Sequence, residues 1–244
     1  ITTRLVGSEM CIRDRIWYTR FNQLNESEDI KMDILETMKA RHSVRQYKNQ
    51  AIESSKREKI NALIKDVNAE SKLSIQVFYD EPKCFDSFMA HYGKFENVKN
   101  YIAIVGNKND QEKAGYYGEK IVLKCQKLGL NTCWVAMTHG KSKAQIKRGQ
   151  KLLIIISLGY GETQGVPHKS KSIAELGQAD QKNEWFEKGM EAVSLAPTAV
   201  NQQKFYFELK NGIVTAKNLG GFYSRIDLGI VKYHFEAVTG HEVK

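Results

Sequence analysis

The segment from Leu152 to Leu158 is apolar at every position except Ser157. A strand with one face in solvent alternates apolar and polar residues, whereas a strand at the centre of a sheet has a nearly continuous apolar run. The segment therefore predicts a central strand. Such a strand requires other strands beside it and further structure over its faces, so the chain must fold as a layered domain.

Helical and strand patterns alternate over the rest of the chain. Apolar residues at helical spacing predict helices near 32–40, 54–67, 85–89, 111–128, 183–195 and 226–238. Extended patterns predict strands at 73–79, 101–106, 130–135, 204–209 and 213–216, with a hairpin turn at Asn211-Gly212. A polar, lysine-rich connection follows Pro167. These patterns favour one compact α/β domain with internal αβαβ pseudo-repetition, in halves at about 32–166 and 180–244.

Residues 1–31 stand apart from this pattern. Residues 5–15 resemble a translated sequencing adapter of the transposase type, and residues 25–31 can be encoded by a purine-rich run like a ribosome-binding site. We therefore expect 1–31 to be a non-native leader, with the natural start at Met32 and the folded domain at 32–244. The alternative is a genuine N-terminal extension, whose apolar content is too short and interrupted for a signal peptide or membrane anchor.

Charge and cysteine content narrow the function classes. The formal net charge is +9, but lysines are spread over the chain without a polybasic run or interleaved stacking aromatics. This pattern indicates an ordinary basic surface more than a nucleic-acid or membrane partner. Cys11 lies in the expected leader, and the cysteines of 32–244 are Cys84, Cys125 and Cys133. They show no metal-ligand spacing, and their odd number argues against a disulfide framework. We expect no metal and a reducing, cytoplasmic setting.

A basic cluster, Arg41-His42-Ser43-Val44-Arg45, follows the first predicted helix. If the chain leaves the helix extended, Arg41, Ser43 and Arg45 point the same way. Two guanidiniums and a hydroxyl suit a phosphate monoester, because guanidinium groups bind phosphate oxygens in pairs. The alternative is a solvated basic helix end, which the helix dipole favours.

Two later segments offer further ligand groups. Lys169-Ser170-Lys171 follows a strand exit and could supplement the arginines around one phosphate, or could be a solvated lysine pair. The glycines at 159–165 do not have dinucleotide-fold spacing. In the loop 196–203, small residues would let a flat ligand approach, and its amides could both donate and accept at the edge of a flavin or a base. The alternative is a helix-end loop with amides in water.

Taken together, these motifs resemble those of bacterial-type FMN-dependent nitroreductases over nearly all of 32–244. The similar stretches are Arg41-x-Ser43-x-Arg45, residues 129–135, residues 158–160, residues 196–203 and the helix start at 225–229. The resemblance is to the subgroup in which the loop with a proline and amide side chains, here residues 196–203, lies in the C-terminal half. It implies an α+β fold, an α/β-like three-layer sandwich with a mixed, mostly antiparallel sheet flanked by helices.

The resemblance also implies roles for individual residues. Arg41, Ser43 and Arg45 would hold the FMN phosphate and ribityl chain, with Lys169 and Lys171 as a second basic pair. His42 would pack or hydrogen-bond nearby. The residues implied along the isoalloxazine ring and its pyrimidine edge are Trp134, Val135, Ala136, Pro197, Thr198, Ala199, Asn201 and Gln203.

The function implied by the resemblance is NAD(P)H-driven reduction by a ping-pong hydride mechanism. FMN would take hydride from NADH or NADPH and then reduce a nitroaromatic, a quinone or a similar small electrophile, so no catalytic protein residue is expected. The site would lie within one chain or be completed across a homodimer. A flavin-binding or flavin-processing protein without NAD(P)H turnover is one alternative, and a basic nucleic-acid-binding module is another.

Overall fold

A computed structural model of the chain describes residues 33–244, which form one compact unit. The expected non-native leader lies outside the described residues. Within 33–244, none of the helices combines the length and hydropathy needed to cross a bilayer.

The first sheet has four antiparallel strands. They are β1 (Ser74–Phe78), β2 (Asn100–Gly106), β3 (Asn131–Val135) and β4 (Lys151–Gly159), in the order β1-β2-β4-β3. The apolar run is β4, which pairs with β2 on one side and β3 on the other. Alternate residues of β4 enter two cores, because Ile154 and Ile156 pack in one and Ile155 in the other. The prediction of a central, doubly covered strand is confirmed.

Helices cover these strands. Their bounds are α1 (Ile34–Ala40), α2 (Ser54–Ser71), α3 (Phe88–Tyr92), α4 (Gln111–Lys127), α5 (Ile173–Leu176), α6 (Glu184–Ser194) and α7 (Ser224–Thr239). Helix α6 begins as its sequence indicates, since the Asn183 side chain accepts a hydrogen bond from the Phe186 backbone N–H. Helix α7 begins at Ser224, two residues before the predicted start.

A second sheet lies in the C-terminal half, with strands β5 (Gly177–Ala179), β6 (Phe205–Lys210) and β7 (Ile213–Asn218). Asn211 and Gly212 both adopt left-handed φ values, 52° and 74°, as a two-residue hairpin turn requires. Strand β5 pairs parallel with β6. It lies with α5 in the segment predicted to be only a polar connection, and that prediction was wrong because a three-residue strand is too short for periodicity to reveal.

Helices α4 and α7 pack with their backbones in contact. A Cβ at Gly115 would lie 2.0 Å from the carbonyl oxygen of Ile226, and one at Gly229 would lie 1.9 Å from the carbonyl oxygen of Glu112. No larger residue fits at either position unless the helices move apart. This close approach positions the site, because each helix contributes buried polar residues to it.

Candidate functional site

Two adjoining cavities lie between the extended segment 41–47 and the loop 197–203, here called the proline-amide loop. The larger cavity has a volume of about 340 Å³ and the smaller one about 260 Å³. The residues that line both cavities are Ser43, Arg45, Pro197, Thr198 and Val200. A single ligand could therefore extend from one cavity into the other.

The segment 41–47 leaves α1 in an extended conformation, as its sequence predicts. Arg41 has φ −77° and ψ 115°, and Val44 N–H donates to the carbonyl oxygen of Thr132 on β3 at 3.0 Å. The buried Tyr47 hydroxyl fixes the far end through contacts of 2.7 Å with Ser157 and the Val44 carbonyl. Strand-like pairing thus attaches this wall of the site to the first sheet.

The smaller cavity, here called the basic cavity, collects most of the predicted phosphate ligands. It is lined by Arg41, His42, Ser43, Arg45, Val166, His168, Pro197, Thr198, Val200 and Asn201. Burial lowers the pKa of the His42 and His168 imidazoles, and the Arg41 charge lowers each pKa further. His168 was not predicted, although it directly precedes the predicted Lys169.

The predicted lysine pair lies against the proline-amide loop, outside the cavities. Neither Lys169 nor Lys171 lines either cavity. The Lys169 carbonyl accepts bonds from the side-chain amides of Asn201 and Gln203, both at 2.9 Å. The Lys171 ammonium donates to the Gln203 carbonyl at 3.1 Å. In the described residues, this segment supports the proline-amide loop from behind.

The larger cavity, here called the apolar cavity, is bounded by the end of β3 and the start of α7. Its walls include Trp134, Ala136, Met137, Ile154, Phe222, Tyr223, Ile226 and Ile230. Val135 does not line it, because alternation along β3 turns that side chain into the core on the opposite face from Trp134. Of the predicted ring residues at the end of β3, Trp134 and Ala136 therefore reach the cavity and Val135 does not.

The proline-amide loop forms the wall opposite segment 41–47. Pro197, Thr198, Ala199 and Asn201 each line one or both cavities, as their prediction requires. Gln203 does not, since its buried amide oxygen accepts the Lys171 backbone N–H at 2.8 Å. Three non-glycine residues adopt left-handed φ, namely Val200 at 47°, Asn201 at 52° and Gln203 at 44°. For the β-branched Val200 this conformation is strained.

Asp227 on α7 anchors this loop. Its carboxylate accepts the Ala199 backbone N–H at 2.9 Å and the Gln202 side-chain amide at 2.8 Å. The same Gln202 nitrogen donates to the Phe222 carbonyl at 2.6 Å. Burial raises the pKa of the Asp227 carboxyl to about 6, although both hydrogen bonds oppose the rise. Asp227 was not predicted as a site residue.

A buried polar network centres on Glu119 of α4, which contacts a residue of each cavity, Trp134 and Arg41. The Trp134 indole N–H donates to Glu119 Oε2 at 3.0 Å. His234 Nε2 lies 3.0 Å from Oε1, and Arg41 Nε lies 3.8 Å from that same oxygen. Burial acts to raise the Glu119 pKa, but the His234 hydrogen bond, together with the nearby charges and the Trp134 bond, holds it below its usual value. No sequence motif indicated this network, whose carboxylate and imidazole are 115 residues apart.

The described residues 33–244 hold no cluster of three His, Cys, Asp or Glu side chains that could bind a metal ion. The polar side chains of the basic cavity instead carry guanidinium, hydroxyl, amide and imidazole groups. Such donors suit an anionic organic ligand.

Comparison with known proteins defines the class. Residues 33–239 match the family described as "Putative TM nitroreductase", and the chain belongs to this nitroreductase family. A "putative nitroreductase" from Thermotoga maritima MSB8 superposes with a TM-score of 0.64, at 24% identity over 86% of this chain and 84% of its own. The predicted nitroreductase-like α+β fold is confirmed. Among curated proteins, none matches this chain in sequence.

Two further solved structures are more distant. An "FMN-dependent Nitroreductase" from Clostridium difficile R20291 has a TM-score of 0.42 and 22% identity, over 57% of this chain and 92% of its own. A "putative nitroreductase in complex with fmn" from Desulfovibrio desulfuricans has a TM-score of 0.47 and 15% identity, over 60% and 95%. Neither adds to the assignment of the fold.

Proposed function

We propose that this protein is an oxidoreductase that binds FMN across the two cavities, with the phosphate in the basic cavity and the isoalloxazine ring in the apolar one. Arg41 carries this proposal. Its side chain is only 3% exposed and lines the basic cavity, and its buried Nε has no hydrogen-bond partner among the described residues. A buried guanidinium with an unpaired nitrogen is costly, and an anionic ligand in the adjoining cavity offsets this cost by balancing the charge.

The donor set around Arg41 fits a phosphate monoester. Arg45 adds a second guanidinium and Ser43 a neutral hydroxyl, and both line the same cavity. The alternate positions of these three residues on an extended segment let them converge on one group. Guanidinium pairs with a neutral donor are a common arrangement for phosphate oxygens.

The apolar cavity fits the ring. Trp134 and Ala136 supply one side, and Pro197 and Ala199 supply small side chains on the loop opposite. FMN, when bound, supplies the hydride-accepting and hydride-donating chemistry. The protein residues bind and orient the cofactor and exclude water, and no side chain is assigned a proton-transfer role.

We further propose NADH or NADPH as the electron donor and a nitroaromatic, quinone or similar small electrophile as the acceptor. Family membership supports this choice. One chain supplies residues to both walls of the cavities, and completion of the site across a homodimer stays an alternative. A cytoplasmic setting agrees with cysteines that are all free and buried in 33–244.

The visible spectrum of the purified protein tests the cofactor. We expect the flavin band near roughly 450 nm, and anaerobic addition of NADPH or NADH should bleach it. A protein that cannot be loaded with FMN would overturn the proposal. A flavin that binds but stays oxidised would instead support the flavin-binding alternative without turnover.

Two variants test the placement of the phosphate. Arg45→Ala should weaken FMN binding by about tenfold or more, because it removes one guanidinium from the basic cavity. Lys169→Ala is the matched control, since this lysine is exposed and lines neither cavity. Equal losses in the two variants would contradict the assignment of the basic cavity.

A further inference from the structure

His234 and Arg41 approach the same carboxylate oxygen. His234 Nε2 lies 3.0 Å from Glu119 Oε1, whereas Arg41 Nε lies 3.8 Å from it, beyond hydrogen-bond distance. The second oxygen, Oε2, accepts the Trp134 indole N–H. Glu119 and His234 are fully buried, so water neither screens their charges nor supplies other partners. The imidazole therefore holds the oxygen that Arg41 would otherwise bind.

The contacts of His234 fix the number of protons on the His234–Glu119 pair. Nδ1 lies 2.8 Å from the Ala192 carbonyl oxygen, which can only accept, so Nδ1 carries a hydrogen. The contact between Nε2 and Glu119 Oε1 also requires a proton, on one atom or the other. An ionised pair and a neutral pair are both allowed, and each has a net charge of zero. Glu119 therefore cannot neutralise Arg41 while His234 is in place.

We propose that His234 is a positioning residue that neutralises Glu119 and so leaves the Arg41 guanidinium free to bind an anionic phosphate monoester in the basic cavity. The inference deepens the proposed function, on which it rests for the identity of the ligand. Arg41, Glu119 and His234 together carry one net positive charge. Binding of the anion balances this charge. His234 acts on the ligand through two other side chains, without contacting the cavity.

Packing of α4 against α7 gives this arrangement its rigidity. The backbone contacts at Gly115 and Gly229 hold the helix that carries Glu119 against the helix that carries His234. Trp134 is fixed as well, because a Cβ at Gly118 would lie only 2.4 Å from its ring. With Trp134 and His234 each donating to one oxygen of Glu119, the carboxylate is held so that its Oε1 lies 3.8 Å from Arg41 Nε.

The test compares FMN with riboflavin, which lacks the phosphate, in wild type and three variants. In His234→Gln, the carboxylate of Glu119 has only Arg41 to balance it, so the FMN Kd should rise by about tenfold or more. The riboflavin Kd should stay within about threefold, because riboflavin places no phosphate at Arg41. If the His234→Gln protein does not fold, His234→Asn replaces it in the test.

Glu119→Gln should behave differently. A glutamine accepts from Trp134 and donates to the Nε2 of a neutral His234, so the pair keeps zero net charge and FMN affinity should stay within about threefold of wild type. The double variant Glu119→Gln with His234→Gln should regain most of the FMN affinity lost in His234→Gln, because no carboxylate remains to capture Arg41. Such a rescue is strongly non-additive.

A purely structural role for His234 gives another pattern. Losses for FMN and riboflavin would then be equal, and the double variant would be at least as impaired as His234→Gln; either result overturns the inference. If wild type binds neither flavin, the proposed function fails, and inorganic phosphate becomes the probe, with ligand-induced thermal stabilisation as the readout. Phosphate should then stabilise wild type, Glu119→Gln and the double variant more than His234→Gln, which supports the inference. Stabilisation that is absent or equal in all four proteins overturns it.

Discussion

The two walls of the site are held in place by different means. Segment 41–47 is attached to the first sheet by backbone pairing, and its Arg41 is buried beside the Glu119 network. The proline-amide loop is attached by side chains, chiefly Asp227 and Gln203, and it contains three left-handed non-glycine residues. The first wall is a continuation of the core, whereas the second is a strained loop fastened to it.

This difference predicts what each wall controls. Changes near Arg41 alter charge in a region that water does not reach, so they should alter the affinity for the phosphate group. Changes near Asp227 alter the position of a loop that lines both cavities, so they should alter the affinity for any ligand that extends through them. Helix α7 joins the two walls, because it carries both His234 and Asp227.

The largest effect should come from Gly229→Ala, which acts on both walls together. The added methyl would lie 1.9 Å from the Glu112 carbonyl oxygen, and backbone cannot yield as a side chain can. We expect the free energy of unfolding to fall by about 3 kcal/mol or more, measured by urea denaturation. Lys113→Ala on the exposed face of α4 is the control and should cost less than about 0.5 kcal/mol. A Gly229→Ala protein of wild-type stability would show that the helix contact does not constrain the site.

The next effect is a pH dependence that belongs to the loop wall. The folded-state pKa of Asp227, about 6, lies above its ordinary value of 3.8. The native state therefore binds the proton more tightly than the unfolded state, and this contribution to stability is lost as pH rises through about 6. The rise corresponds to roughly 3 kcal/mol at most. The loss extends from about pH 3.8 to about pH 6, so roughly 1.4 kcal/mol of it falls between pH 5 and pH 7.5. Urea denaturation of wild type and Asp227→Asn at these two pH values measures that part.

Comparison of the two proteins separates Asp227 from the histidines of the basic cavity. The pKa values of His42 and His168 are lowered by burial, so their contributions have the opposite sign and are lost as pH falls. Wild type and Asp227→Asn both contain His42 and His168, so the contributions of these histidines cancel when the two stabilities are subtracted. A stability difference between wild type and Asp227→Asn that is the same at both pH values would show that Asp227 is not the group responsible.

The same substitution should also weaken ligand binding without regard to phosphate. An asparagine at 227 places an amide against the Gln202 amide, and rotating Gln202 instead sets its oxygen against the Phe222 carbonyl, now 2.6 Å from the nitrogen. Either arrangement breaks one bond of the loop. We expect about tenfold weaker binding of both FMN and riboflavin by Asp227→Asn, measured by fluorescence titration. A loss confined to FMN would remove the distinction between the two walls.

The walls also differ in how far the sequence could predict them. The alternation of Arg41, Ser43 and Arg45 is a local property of an extended chain, and the structure does bring these three residues to one cavity. Lys169 was predicted at the phosphate from its charge, but Gln203 holds its backbone and the neighbouring His168 lines the cavity instead. The ligand roles of Arg41, Ser43, Arg45 and Lys169 remain predictions.

Long-range contacts could not be predicted at all. Glu119 and His234 each lie within an ordinary helical pattern, and only the backbone contact of α4 with α7 brings them within 3.0 Å. Asp227 likewise becomes a loop anchor only because the loop folds back onto α7. The central strand β4 and the Asn211-Gly212 turn were predictable because periodicity and left-handed φ depend on neighbours in sequence.

The smallest predicted effect tests the strain in the loop wall directly. Val200 has φ 47°, and its side chain is 83% exposed, so the residue pays for a left-handed conformation and gains little from burial. Val200→Gly should raise the free energy of unfolding by about 0.5–1 kcal/mol, because the relief of strain exceeds the added entropy of the unfolded chain. Val166→Gly is the matched control: Val166 lines the same basic cavity and is 80% exposed, but its φ is not left-handed. There glycine should lower stability by about 0.5–1 kcal/mol. Opposite signs in urea denaturation would locate the strain at Val200, and equal destabilisation would mean that the loop is no more strained than the rest of the cavity wall.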